Sequence, residues 1–307
     1  VVQSDEVLIR IEAAALNRAD LMQRAGDYPP PEGCPEWMGL EVAGEIISIG
    51  ETAKRESRWH IGDRVCALLG GGGYAQYVAV RYSMVMPIPE GITIEEAAAM
   101  PEAFATAYLN LFYEGSAKAG ETLLMHAGAS GLASVVIPMA KAFGLRVITT
   151  VLSDQIASSI KHLGADLVVN TNKTRIEDVL CKLLEEGRPV DLAIDCLGGD
   201  TVGKCLPYMA RDGRWIIIAT LAGDTSEVNL KEMYKRNTRI IGNTLRSRSP
   251  EMKAEILSRL VEKVWPKVSE GLVRATVYKV LPIEQAEAAH AILMRGENIG
   301  KVVLTVR

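Results

Sequence analysis

The residues with the clearest chemistry are Ala127-Gly128-Ala129-Ser130-Gly131-Leu132-Ala133, which follow the apolar run Thr122-Leu-Leu-Met-His126 and lead into a helical pattern. Gly128 permits a tight turn, and Gly131 lets backbone N–H groups approach an anion. The small Ala133 allows close packing of helix on strand. Ser130 can cap the helix or donate to a phosphate. Two glycines alone say little, but here a strand precedes them, a helix follows, and further strand–helix units come after. That context reads as a pyrophosphate site for a nicotinamide dinucleotide. About twenty residues past Gly128 the next strand ends at Thr149-Thr150-Val151. An NAD site would carry an acid there for the ribose hydroxyls, and none is present. Ser153 can reach a 2′-phosphate, although Asp154, Gln155 and Ile156 bring no cation. NADPH is therefore favoured, with NADH possible, and Thr150→Asp is expected to turn the preference toward NADH.

Other reactive residues are sparse. Cys34, Cys66, Cys181, Cys196 and Cys205 are scattered and form no C-x-x-C, and the four histidines His60, His126, His162 and His290 include no i, i+4 pair. No zinc site is expected from such a set. His126, at a strand end, reads as structural. Gly70 to Gly73 resembles a phosphate loop in composition only and reads as a turn. Pro138 falls inside the helix after the glycine turn, where a kink is the plain expectation.

These residues need two kinds of scaffold. The first hundred residues are β-rich, with strands expected at Glu6 to Glu12, Glu41 to Ile49, Val65 to Leu69 and Tyr74 to Val80. The proline-rich segment Tyr28 to Pro35 is a rigid loop. Helices are expected at Ile94 to Met100 and Glu102 to Tyr113. Strands then alternate with helices: Thr122 to His126, Gly131 to Phe143, Leu145 to Val151, Asp154 to Leu163, Leu167 to Val169, Ile176 to Glu186, Val190 to Asp195, Thr201 to Met209 and Arg214 to Ala219. Nearly all-apolar strands in that alternation mean a parallel sheet covered on both faces. A helix at Glu251 to Val264, strands at Val277 to Leu281 and Lys301 to Val306, and a helix at Ile283 to Arg295 close the chain. The fold class is α/β: a Rossmann doubly wound parallel sheet at 103–244, plus a β-rich domain formed by 1–102 and 245–307. A ligand is expected in the cleft between the domains, at the carboxyl ends of the parallel strands.

Bulk properties set limits. The 307 residues suit two domains, and 48% apolar with 23% charged residues is ordinary for a globular chain. With a net charge of −4 and no basic block, no nucleic-acid footprint is visible. No run approaches a membrane span, and no secretory signal opens the chain. Scattered free thiols fit a reducing, cytoplasmic setting. The start at Val1, almost at once in a strand, suggests that an N-terminal segment is missing.

Motifs along nearly the whole chain resemble the medium-chain dehydrogenase/reductase superfamily, and within it the zinc-free, zeta-crystallin-like quinone oxidoreductases, nearest the tumour-suppressor-induced branch. They are Ala15-Leu-Asn-Arg-Ala-Asp-Leu21, Gly39-Leu-Glu-Val-Ala-Gly44, Gly62-Asp-Arg-Val65, Met100-Pro-Glu-Ala103, the glycine turn, Asp195-Cys-Leu-Gly-Gly199, Asp212-Gly-Arg-Trp215, Leu245-Arg-Ser-Arg248 and Asn298-Ile-Gly-Lys-Val-Val303. The resemblance implies that the β-rich part is a GroES-like catalytic domain. Asn17 and Leu40 stand where zinc-dependent relatives place a Cys and a His, and an aliphatic chain cannot ligate zinc. By the same resemblance Asn17, Tyr28 and Thr106 are the catalytic candidates. Cofactor contacts are implied for Asn17, Thr106, Gly128, Ser130, Gly131, Leu132, Ser153, Leu221, Leu245, Arg246, Asn298 and Lys301. The family's adenine-phosphate Lys and Tyr are absent. The implied reaction is hydride transfer from NADPH to a quinone, with an enone or enal, or a cofactor-binding role with little turnover, as alternatives. A homodimer is expected.

Overall fold

In a computed structural model, residues 2–306 are described, and they fall into two compact units. One runs to Thr106 and resumes at Leu245; the other is Ala107–Thr244.

The first unit is built on a seven-stranded sheet of β1 (Glu6–Ala15), β2 (Glu41–Ile49), β3 (Arg64–Leu68), β4 (Tyr77–Arg81), β5 (Val85–Pro87), and two strands from the chain's return, β12 (Val277–Pro282) and β13 (Lys301–Thr305). The order is β12-β13-β1-β2-β3-β5, with β4 also on β1. β1 alternates buried and half-buried residues up to Ala13 and is then fully buried, which carries it three residues beyond the alternating segment read from the sequence. Its last turn of chain bonds to β13, with Ala15 opposite Val303, so the end of β1 and the start of β13 lie side by side. Asn17 and Lys301 are brought together by that pairing. Short elements escaped the periodicity, among them the helices Glu51–Glu56, Leu230–Arg236 and Trp265–Ser269, and β5, each seven residues or fewer.

The second unit carries a parallel sheet of β6 (Thr122–Met125), β7 (Arg146–Val151), β8 (Leu167–Asn170), β9 (Val190–Asp195), β10 (Met209–Ile217) and β11 (Arg239–Gly242), in the order β11-β10-β9-β6-β7-β8. β6 is completely buried and the edge strands β8 and β11 are partly exposed, as expected when helices cover both faces. Strand order reverses between β6 and β9, the switch point at which such sheets bind ligands. The glycine turn follows β6 directly.

Two sequence-based helix limits move. The segment expected as one helix from Glu102 to Tyr113 is α-helical over Pro101–Tyr108 and continues as a π-helical stretch, Leu109–Glu114. The helix after the glycine turn begins at Ala133, not Gly131, and runs to Ala142 through Pro138. Pro138 has no N–H to give the Ser134 carbonyl; the Ser134 hydroxyl, a separate group, donates to the Gly131 carbonyl at 2.8 Å. β10 starts earlier than expected and contains a register shift between Met209 and Arg214, where Asp212 sits at φ 62°. Arg214 ties this region to the sheet. Its guanidinium donates to the Gly115 carbonyl at 2.7 Å and to both Glu121 oxygens at 3.0 and 2.7 Å.

Candidate functional site

In the second unit the glycine turn is held from β7. The Thr150 carbonyl accepts from Gly128 N–H at 2.8 Å, and Thr150 Oγ1 accepts from Ala127 N–H at 3.2 Å. Thr149 Oγ1 donates to the Met125 carbonyl at 2.7 Å. A Cβ on Gly128 would lie 2.5 Å from Thr149 Oγ1 and 2.9 Å from Ile160 Cδ1, so the turn packs onto β7 only because Gly128 has no side chain. Ala127 takes the left-handed conformation at φ 55°, which costs a non-glycine residue on the order of 1 kcal/mol and is maintained by these bonds. Ser130 Oγ accepts from Ala133 N–H at 3.1 Å, the capping role open to it. The Leu132 carbonyl accepts from Val135 and Val136 in the first helical turn.

Thr150 therefore faces inward and is nearly inaccessible, at 3% exposure. This corrects the expectation that an acid at Thr150 would meet a ribose. The segment just after β7 is Leu152-Ser153-Asp154. Ser153 Oγ caps the following helix through Ile156 N–H at 3.2 Å. Asp154 pairs with Lys173, and Asn170 Nδ2 donates to it at 2.7 Å; these partners hold its carboxyl below the usual range. Lys173 is a cation that the linear sequence hid. It lies nineteen residues past Asp154 and arrives because β7 and β8 pair Val151 with Asn170.

The rest of the carboxyl edge is similarly braced. Asp195, fully buried at the end of β9, accepts from Leu197 and Gly198 N–H at 2.7 and 3.2 Å and from Trp215 Nε1 at 2.9 Å. Gly199 N–H reaches the Gly223 carbonyl at 2.8 Å, joining the loops after β9 and β10, and Leu221 projects from the latter loop half-exposed. His126 is buried. Its Nδ1 bonds Thr150 Oγ1 at 3.1 Å, its ring packs on Trp215, and its Nε2 has no partner among the described residues. Burial lowers its pKa and favours the neutral ring.

In the first unit, charges converge on Asn17. Lys301 Nζ lies 2.6 Å from Glu41 Oε1 and donates to Asn17 Oδ1 at 2.6 Å, while Asn17 Nδ2 donates to Glu41 Oε1 at 2.9 Å. Glu41 Oε2 accepts from Glu102 N–H at 2.8 Å. Asp20 Oδ2 accepts from Asn17 N–H at 2.7 Å, and Asp20 Oδ1 from Gly39 N–H at 2.9 Å. Gly39 must be bare, because a Cβ there would lie 2.5 Å from Gly73 Cα; the glycine run thus serves packing. Glu41 and Asp20 are 0% exposed and Lys301 is 4% exposed. Three carboxylates around one ammonium cannot all ionise cheaply. Desolvation pushes Asp20 up to about 6 and Glu102 up to about 7, with Glu41 adding to both and Lys301 opposing. On the helix Pro101–Tyr108 only Glu102 and Thr106 are not buried, and at i, i+4 they share a face. Glu102 went unnoticed in the sequence, although its place in Met100-Pro-Glu-Ala103 was a signal.

The remaining candidates lie around this centre or apart from it. Arg246 grips the loop of Tyr28: its Nη1 donates to the Tyr28 and Pro29 carbonyls at 2.9 Å, its Nη2 to Gln23 Oε1 at 3.3 Å, and its guanidinium stacks 4.0 Å over the Tyr28 ring. Leu245 is buried, and Asn298 makes a local bond to the Gly300 carbonyl. Among the described residues no group of His, Cys, Asp and Glu is arranged to hold a metal. At the positions of the zinc ligands stand the Asn17 amide, committed to Glu41 and Lys301, and the buried aliphatic Leu40, a donor set that does not suit zinc.

The glycine cradle at the switch point suits a dinucleotide, and known proteins agree. Residues 3–90 match the alcohol dehydrogenase GroES-like domain and residues 131–262 match the family described as zinc-binding dehydrogenase. Mouse quinone oxidoreductase is 28% identical over 99% of this chain and 90% of its own length. The solved structure of a mycobacterial quinone oxidoreductase superposes with a TM-score of 0.85 at 26% identity, covering 99% of this chain and 92% of that one. A mycobacterial relative solved in complex with NADPH gives 0.84 at 25% identity, with the same coverage. No helix among the described residues is long and apolar enough to cross a membrane. The chain is a nicotinamide-dependent oxidoreductase, and it belongs to the quinone oxidoreductase family of the medium-chain dehydrogenase/reductase superfamily.

Proposed function

We propose that this chain is an NADPH-preferring, zinc-independent reductase that passes a hydride to a quinone. One observation carries the reading. The place where a metal-dependent relative would polarise an oxygen holds instead an asparagine amide clamped between buried Glu41 and Lys301. Without a Lewis acid, the fitting substrate is one already electrophilic, whose reduced oxygen is a stable anion. The bound nicotinamide supplies the hydride. The Gly128–Gly131 turn and the helix from Ala133 hold the pyrophosphate. Asn17 and Thr106 orient the reactants, and Tyr28 borders the acceptor on a loop fixed by Arg246.

Cofactor choice follows from the end of β7. The segment after β7 offers Ser153 and, in Asp154, an acid that Lys173 neutralises; this supports a 2′-phosphate and keeps the preference modest. A second reading, reduction of an enone, uses the same hydride and needs a proton at carbon. Glu102, held near neutrality on the face shared with Thr106, favours it as a proton source. A homodimer through the exposed edge strand β11 suits the proposal.

Steady-state oxidation of NADPH and NADH against a panel of quinones and enones tests the function, with zinc determined on the same sample. Quinone reduction by zinc-free protein, faster with NADPH, is expected. Activity that requires stoichiometric zinc, or no acceptor reduction at all, would overturn the reading.

A further inference from the structure

Glu41 and Lys301 are an expensive pair. Both are almost wholly removed from water, and a buried ion pair is often no better for stability than well-packed apolar residues. Their common contact is Asn17. An asparagine amide can turn by 180°, exchanging donor and acceptor ends. Here it cannot do so without loss. Lys301 has only donors and sits 2.6 Å from Oδ1; the Glu41 carboxylate has only acceptors and sits 2.9 Å from Nδ2. A turned amide would face N–H to ammonium and oxygen to carboxylate, two repulsions in a low-dielectric setting.

The clamp is itself fixed. Glu41 Oε2 is held by Glu102 N–H, Lys301 is anchored through its own N–H to the Thr276 carbonyl at 2.8 Å, and Asn17 N–H is held by Asp20. These bonds leave one N–H of the half-buried Asn17 amide uncommitted among the described residues.

We propose that Glu41 and Lys301 are positioning residues that lock the Asn17 amide in one orientation, so that its remaining N–H is presented as a donor to the carbonyl oxygen of the acceptor. The proposal rests on the reading above that places Asn17 beside the acceptor. Lys301 thereby acts through Asn17, with its ammonium engaged by Asn17 Oδ1 and Glu41. As the acceptor takes the hydride, charge builds on its oxygen, and a donor fixed beforehand stabilises that charge without reorganising.

The test uses the full chain with Glu41→Gln/Lys301→Met, which removes both charges together and strands neither. Asn17 side-chain amide signals are followed by NMR with ¹⁵N-asparagine and assigned by their loss in Asn17→Ala. Two widely separated N–H protons are expected in the parent and an ordinary, averaged pair in the variant. With a benzoquinone, kcat should fall about tenfold or more while the NADPH dissociation constant stays within about threefold. Adding Asn17→Ala to the double variant should cost less than about twofold further, because its function is already lost. Should the double variant not fold, Glu41→Gln and Lys301→Met are made singly; each removes one half of the lock and should narrow the separation of the amide signals part-way, and no change in either would overturn the proposal. Unchanged amide signals, or losses that multiply as independent effects, would overturn the proposal. If the parent reduces no acceptor, the proposed function falls, and the amide signals alone decide whether the clamp exists.

Discussion

The glycine turn after β6 and the centre around Asn17 are both rigid, and they are made of opposite materials. The turn is held by backbone groups and two threonine hydroxyls from the adjacent strand, with no charge taking part. The Asn17 centre is held by two acids, one lysine and the Glu102 N–H, drawn from four separate segments. A dinucleotide brings its own charge, so the turn need only offer N–H groups and space. A neutral acceptor brings no charge, so the protein must supply a fixed, polarised donor. Under the proposed function, this difference gives binding to one region and orientation of chemistry to the other.

Breaking the first region should have the largest effect on binding. Gly131→Val places a branched side chain where the turn meets the helix, and NADPH should bind on the order of 100-fold more weakly, about 2.7 kcal/mol, with the unfolding transition nearly unchanged. Fluorescence titration and thermal melting on the same sample check both halves. Thr150→Asp is next in size. It buries a carboxylate against the turn, so stability should drop by roughly 2 kcal/mol or more. NADPH and NADH should weaken together, and a selective gain for NADH in paired titrations would mean that the side chain reaches the ribose after all.

What the sequence disclosed follows the same division. Local signals fixed the turn: Gly128, Ser130 and Gly131 stand within a few residues of each other between a strand and a helix. The inward use of Thr150 and the arrival of Lys173 were hidden because both depend on strand pairing, twenty or so residues away in the chain. The Asn17 centre was visible only as motif fragments carried by family resemblance. Residues 17, 41 and 301 meet through sheet register, which alternation predicts as strands but not as partners. Glu102 joins them from the helix Pro101–Tyr108, a tertiary contact that periodicity does not show, and Arg246, read as a cofactor contact, donates to the Tyr28 loop.

The smallest effect concerns pH. Glu102 is raised from 4.5 to about 7, so the native state binds its proton more tightly than the unfolded chain. That contribution is complete below about pH 4.5 and is lost as pH rises through about 7. The melting temperature of the parent should therefore decline relative to Glu102→Gln between pH 5 and 8. Parallel melting curves would show that the carboxyl ionises normally.

The division itself is tested most directly on Asn17→Ala, by measuring the NADPH dissociation constant and kcat with a simple benzoquinone on one preparation. Affinity should remain within a few-fold of the parent while turnover falls by about tenfold or more, the signature of a lost interaction in the reacting geometry. Turnover at the parent rate, or a loss of NADPH affinity that accounts for the whole defect, would contradict the assignment of chemistry to the charged centre.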